Sequence, residues 1–427
     1  MRAGDRRTLV WRAVLIAVLA VSAAQLFVAH LQGGPGISDT GVYQRYGERI
    51  AGGDLPYRNF AVEYPPGALV PFVLPALVSE SRGAYDEAFR VLMLISLALI
   101  ASLLVLSLDA LAASALRVAA SVSSFLLGVA LLGPFVLTRF DLYAAAVTLA
   151  AICAILHRRD RLGSALLGVA IATKIYPAVL LPLLVTRIWR REGPAAALKG
   201  LGLTAGSALA IYLPFAILAP EGVARSVWRQ VGRPLQIESF GSGVLLGLHH
   251  AAGMPLAWAS SSGSQNLTGT VAAAASVMTT IVGLAALALV WVRFARGDTE
   301  SAARFARYGA AAIVAFVAFG KVISPQFLVW LLAVVVLVSG RRGAAAIVLL
   351  LIACALTRLW FPDSYWDLVK QFDLTASWLV LARDIVLVGL FAALASSFPL
   401  QSRSAPATSV CPGEGARARE SEPGESR

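Results

Sequence analysis

The sequence predicts an all-α, polytopic membrane protein, and three observations carry that prediction. The chain has 427 residues, 58% of them hydrophobic and only 14% charged, whereas a soluble domain is about half apolar and about a quarter charged. Its mean hydropathy is +0.75. Apolar runs long enough to cross a hydrocarbon core of ~30 Å recur along it. They are built of Leu, Ala and Val with Gly and Pro interspersed, as in membrane helices rather than barrel strands.

About twelve crossings are expected, near residues 10–31, 88–108, 118–137, 141–157, 162–174, 176–187, 197–219, 268–292, 307–320, 326–340, 343–359 and 376–398. The first run is too long for a signal-peptide core and further spans follow it, so it is expected to remain as an uncleaved helix. The two runs within 162–187 are short and read as a hairpin that tips at Lys174-Ile175-Tyr176-Pro177. The membrane domain is expected over 1–400. Residues 401–427 are rich in Ser, Pro, Gly, Glu and Arg, cannot bury a core, and are expected to be a disordered cytoplasmic tail.

The net charge is +12, which on its own would suggest a nucleic-acid partner. Its distribution gives a different reading. With the N-terminus inside, Arg2, Arg6, Arg7, Arg12, Arg117, Arg158, Arg159, Arg161, Arg187, Arg190, Arg191, Lys199, Arg293, Arg296, Arg304, Arg307, Arg341 and Arg342 share one side, as the positive-inside rule requires. Both termini are then cytoplasmic, the bilayer is the partner and no nucleic acid is implied. Cys153 and Cys354 lie in apolar runs and Cys411 in the tail, so neither a disulfide framework nor a zinc site is expected.

This orientation leaves segments 32–87, 220–267 and 360–375 outside, joined by short outer turns at 138–141, 174–177 and 321–326. Arg139, Asp141, Lys174, Lys321 and Gln326 all fall at outer ends of apolar runs. Charge beside hydrocarbon is costly and tends to be kept for function, so a site on the extracytoplasmic face is expected.

In the first outer segment Tyr43, Tyr46 and Ile50 share one face at helical spacing, with Gln44, Arg45, Glu48 and Arg49 opposite. This is the pattern of a short helix lying in the membrane interface. Asp39 stands at its start and reads in two ways. Either it or Ser38 caps the helix, or Asp39 is a general base at the bilayer surface. Tyr57 follows, then Glu63-Tyr64-Pro65-Pro66-Gly67, where the prolines impose an extended approach and a fresh helical start. The apolar stretch 67–78 is short and broken by proline, so it is expected to be re-entrant or interfacial.

These residues carry a resemblance. Ser38-Asp39 with Tyr43, Gly53-Asp54-Leu55-Pro56-Tyr57 and Glu63-Tyr64-Pro65-Pro66-Gly67 resemble the first outer loop of glycosyltransferase family 87. The likeness continues at Arg139-Phe140-Asp141-Leu142-Tyr143, at Ala172-Thr173-Lys174-Ile175-Tyr176-Pro177-Ala178 and from Lys321 to Trp330. The loop Gly232-Arg233-Pro234-Leu235-Gln236-Ile237-Glu238-Ser239 fits the family less definitely. The resemblance implies a GT-C fold and transfer of a hexose, with mannose expected because the family includes α-1,2-mannosyltransferases, from a polyprenyl-phosphate donor to a glycolipid or polysaccharide acceptor. It implies inversion with Asp39 as base, and Arg139, Lys174 and Lys321 as cations for the leaving phosphate, with Arg233 and Arg358 behind them. Tyr43, Tyr57, Glu63, Tyr64, Asp141, Tyr176 and Gln326 are the expected substrate contacts, and Asp141 also reads as a partner orienting Arg139. No cofactor and no required metal are expected.

A transporter or lipid flippase is the alternative, since it too shows intramembrane charge and broken helices. It would need a polar path running to the Arg158 or Arg190 side. A non-catalytic scaffold, the third reading, would have no cause to set Asp39 beside cations.

Overall fold

The computed structural model describes Trp11, residues 14–23 and residues 37–396. Half of the first expected crossing, the N-terminal arginines and the 401–427 tail lie outside the described residues. Helix α1 is Val14–Ala23. Then come α2 (Thr40–Ala51), α3 (Val70–Ala76), α4 (Arg82–Ala110), α5 (Ala115–Leu132), α6 (Asp141–Leu156), α7 (Asp160–Thr173), α8 (Leu181–Glu192), α9 (Pro194–Leu218), α10 (Pro220–Val231) and α11 (Phe240–Ala252). A hairpin of β1 (Ala257–Ser261) and β2 (Ser264–Thr268) precedes α12 (Thr270–Ala295), α13 (Ala302–Ala318), α14 (Leu328–Val335), α15 (Gly340–Arg358), α16 (Tyr365–Gln371) and α17 (Leu374–Ala395).

Among the described residues six helices are long and apolar enough to cross a membrane: α4, α5, α9, α12, α15 and α17. The expectation of about twelve crossings divides here. The 162–174 and 176–187 runs form α7 and a 3-10 turn, Tyr176–Leu180, leading into α8. The 326–340 run gives only a 3-10 turn, Pro325–Phe327, and the eight residues of α14. Proline explains the shortening: Pro177, Pro182 and Pro325 each sit at the first or second position of a new helical segment, because their missing N–H prevents an uninterrupted α-helix.

Serine and aspartate set several helix starts. Ser81, Ser114, Ser239, Ser301 and Asp373 each accept a backbone N–H from the first turn of α4, α5, α11, α13 and α17, meeting donors that would otherwise be orphaned. The centre of the bundle is α6, α13 and α14, with α14 buried throughout and most residues of α6 and α13 buried. Small residues make that density possible: Ala144, Ala145, Ala146, Ala151 and Ala154 on α6, and Ala310, Ala311, Ala312, Ala315 and Ala318 on α13. By contrast α9 has 6% of its apolar window buried, so it presents Leu209, Leu213 and Ile217 outward, as a lipid-facing helix does.

The two ends of the bundle differ in chemistry. At the end holding the α6–α7 connection, arginines donate to main-chain carbonyls. Arg117 reaches Leu337 O, Arg187 reaches Thr299 O and Glu300 O, Arg293 reaches Ala395 O and Arg307 reaches Leu394 O. Cations suit carbonyls at helix C-termini, which have no intrahelical donors. At the other end α2 and α3 lie over the bundle and lean on the first turns of α4. There Arg82 donates to Thr40 Oγ1 at 3.0 Å and Tyr85 OH to Phe72 O at 3.1 Å.

Candidate active site

Asp39 occupies the N-cap position of α2, yet its side chain makes no capping bond. Ser38 Oγ accepts from the Thr40 N–H instead, at 3.2 Å. The Asp39 carboxylate, about a third exposed, forms an ion pair with Arg139 NH1 and accepts from Tyr43 OH at 3.4 Å. Burial, above all, and the nearby charge of Asp141 hold the Tyr43 phenol well above its usual pKa, so it stays a donor. Its ring is stacked on Phe72 at 4.2 Å and 9° and meets Phe140 and Tyr64 edge-on.

Local sequence delivers Arg139. Helix α5 stops at Gly133, whose φ of 87° is a conformation glycine adopts without steric cost. Pro134 then starts a 3-10 turn over Pro134–Thr138, leaving Arg139 in extended backbone before α6. Burial lowers its guanidinium to about 10, while the charges of Asp141 and Glu238 work the other way. It therefore remains a cation at neutral pH. Arg139 Nε has no hydrogen-bond partner among the described residues.

Asp141 opens α6 and belongs to a different pair from the one expected. Its Oδ1 accepts from Lys174 Nζ at 2.6 Å and from Trp330 Nε1 at 2.8 Å. The Lys174 ammonium also lies over Phe140 at 4.4 Å and Trp330 at 4.7 Å, which adds cation–π attraction. Trp330 is sandwiched between Tyr176 and Phe327, each with ring centroids 4.0 Å away. Gly67 brings the first loop onto this pair: it lies against the Ala172 carbonyl and the Thr173 hydroxyl, where a Cβ would come within 2.7 Å of Ala172 O.

The structure thus sets Asp39, Tyr43, Arg139, Asp141 and Lys174 in one chain of contacts joined through Phe140. Glu63 lies at its edge: its main-chain oxygen accepts from Gln230 Nε2 and its carboxylate faces Gly263 of the β1–β2 turn. Tyr64 is part of the aromatic cluster around Tyr43. Lys321 is turned aside, donating to Val231 O at 2.8 Å. Gln326 lies half-buried on the 3-10 turn before α14. Tyr57 and Tyr176 are buried with hydroxyls already engaged, on Tyr64 O at 2.7 Å and Thr148 Oγ1 at 2.8 Å. Arg358 pairs with Asp363 at 3.0 Å. Beyond Thr148, α6 continues as the buried apolar run Leu149-Ala150-Ala151-Ile152-Cys153-Ala154-Ile155-Leu156 toward the Arg158 end. Among the described residues no three His, Cys, Asp or Glu side chains converge as a metal-ligand set.

A second buried polar group adjoins the first. Glu238 sits in the loop before α11, its carboxyl pushed up to about 8 by burial, with Arg383 and Arg139 opposing. Arg383 donates to Glu238 O at 2.5 Å and pairs with Asp384 at 2.7 Å, both side chains fully buried on α17. Sequence reasoning passed over all three. A signal existed for two of them, because adjacent charges inside the apolar 376–398 run are costly unless used.

Residues 62–325 match glycosyltransferase family 87. The chain belongs to this family. Arg139, Lys174 and Lys321 of the glycosyltransferase fall inside the matched region, whereas Asp39 precedes it and Gln326 follows it. No curated protein matches the chain. Among solved structures, the crystal structure of ArnT from Cupriavidus metallidurans bound to undecaprenyl phosphate is similar over 92% of this chain and 77% of that chain, with 16% identity and a TM-score of 0.39.

Proposed function

We propose that this membrane glycosyltransferase moves a hexose, mannose, from a polyprenyl-phosphate donor to a glycolipid or polysaccharide acceptor at the extracytoplasmic face. The observation that carries the reading is the carboxylate of Asp39: released from capping, partly exposed, paired with Arg139, and linked through Tyr43 and Phe140 to the Asp141–Lys174 pair. Such a site has both halves of glycosyl transfer to a hydroxyl. The acceptor oxygen forms its bond to the anomeric carbon while its proton passes to Asp39. The bond from that carbon to the phosphate oxygen breaks on the opposite face, inverting the centre. Arg139 and Lys174, held by fixed neighbours, then balance the charge on the departing polyprenyl phosphate. The gathering of basic residues at the other end supports an extracytoplasmic site, by the positive-inside rule.

The test is to incubate purified protein with radiolabelled polyprenyl-phosphate mannose and native lipid acceptors, alongside Asp39→Asn. The expected result is labelled product from the wild type and its loss in the variant. Undiminished transfer by Asp39→Asn removes the base assignment, and no transfer by the wild type removes the donor.

A further inference from the structure

We propose that Gln236 and Glu238 form a hydroxyl-reading subsite, which selects the sugar handled at Arg139; the proposal rests on the glycosyl-transfer reading above. Both side chains are more than nine-tenths buried, at 3% and 2% exposure. Gln236 Nε2 donates to Glu238 Oε2 at 2.6 Å and lies 3.3 Å from Ser324 Oγ. Gln236 Nε2 thus faces the Glu238 carboxyl, and Gln236 Oε1 and Glu238 Oε1 are left without a hydrogen-bond partner among the described residues.

Two buried polar oxygens side by side are expensive unless a hydrogen-bonding partner arrives. The backbone carrying them is held on every side. Gln236 N bonds Lys321 O, Ile237 N bonds Gln265 O, Ser242 Oγ bonds Gln236 O, and Arg383 holds Glu238 O. The loop therefore links the Lys321–Ser324 turn to strand β2, with Glu238 in the electrostatic field of Arg139. The ligand chemistry follows. A phosphate belongs with the cations, whereas a sugar hydroxyl, which both donates and accepts, is a neutral partner of the kind that an amide oxygen beside a carboxyl can take. Sites built to bond a hydroxyl discriminate strongly against analogues that lack it.

The hydroxyls come from the transferred sugar or from the acceptor sugar, and binding measurements separate the two. Full-length wild type, Glu238→Gln and Gln236→Ala are titrated in nanodiscs with polyprenyl phosphate, polyprenyl-phosphate mannose and octyl mannoside. The variants are expected to bind one mannose-bearing probe about ten-fold more weakly, the size of one or two lost hydrogen bonds, and to hold polyprenyl phosphate as the wild type does. Loss confined to polyprenyl-phosphate mannose assigns the pair to the transferred sugar, and loss confined to octyl mannoside assigns it to the acceptor. Equal weakening of all three probes, or unchanged binding of both mannosides, overturns the proposal. Ser324→Ala loosens Gln236 without removing either oxygen, and supplies the same comparison should the other variants fold poorly. If the wild type binds no polyprenyl phosphate, the donor reading fails, while octyl mannoside still tests the pair.

Discussion

Lys174 Nζ lies 2.6 Å from Asp141 Oδ1, and both side chains are largely shielded from solvent. An ion pair so placed contributes little net stability while intact, since desolvation offsets the attraction, but removing one partner strands the other charge. Asp141→Ala is therefore expected to destabilise the protein by about 3–5 kcal/mol, read as a lowered melting temperature in detergent. The double variant Asp141→Ala/Lys174→Met should recover much of that loss. Equal melting of the single and double variants would show that the pair is not coupled.

Asp39 makes no capping bond and is about a third exposed, so its removal should cost the fold less than the loss of Asp141, although it leaves the buried Arg139 unpaired. Asp39→Asn is expected to lower transfer roughly 10²–10⁴-fold, the usual share of a general base, with a smaller fall in melting temperature than Asp141→Ala. A large drop in melting temperature would return Asp39 to a structural role.

Arg139 holds Asp39 through a planar guanidinium in a buried position. Lysine cannot reproduce that fork. Arg139→Lys is expected to raise the donor KM and to lower kcat by about ten-fold, a loss of about 1.4 kcal/mol. Initial rates over a range of donor concentrations measure both.

Glu238 gives stability a direction with pH. Its carboxyl titrates near 8 in the fold against 4.5 ordinarily, raised by burial. Between those values the native state holds the proton more often than the unfolded chain, so stability falls as pH rises. The contribution is fully present below 4.5 and gone above about 8. Melting temperature should decline across that window in the wild type, and the decline should be shallower in Glu238→Gln.

Gly67 has no room for a side chain beside Ala172 O. Gly67→Ala should push the first loop off Lys174 and reduce transfer more than it reduces stability, and paired activity and melting curves test this.

Much of this arrangement was legible in the sequence because charge is conspicuous next to apolar runs. Arg139, Asp141 and Lys174 stood out for that reason, as did Lys321 and Gln326, while Asp39 stood out at the start of an amphipathic helix and through the family resemblance. Asp39, Arg139, Asp141 and Lys174 share one chain of contacts. What the sequence withheld was pairing. Arg139 and Asp141 are two residues apart, but extended backbone at Arg139 turns it toward Asp39, while Asp141, at the start of α6, faces Lys174. The number of crossings was equally hidden. Runs such as 326–340 are apolar enough for a span, yet this one forms only a 3-10 turn and the eight residues of α14. Tyr57 and Tyr176 owe their expected roles to the family resemblance, and the structure finds both buried with their hydroxyls engaged. Glu238 lay in a loop with little pattern of its own, and its partners Arg383 and Asp384 are distant in the chain.

Helix α4 has 29 residues, a length of about 44 Å, against a hydrocarbon thickness of ~30 Å. The surplus of about 14 Å includes the polar turn from Arg82, where Thr40 and the Phe72 carbonyl are fastened. That makes α4 a ruler standing on the bilayer. It sets the altitude of α2, and with it the height of Asp39 above the lipid tails. On the proposed reading the donor is anchored by its own hydrocarbon chain, so its reactive carbon would ride at an altitude set by the same membrane and share one datum with the carboxylate.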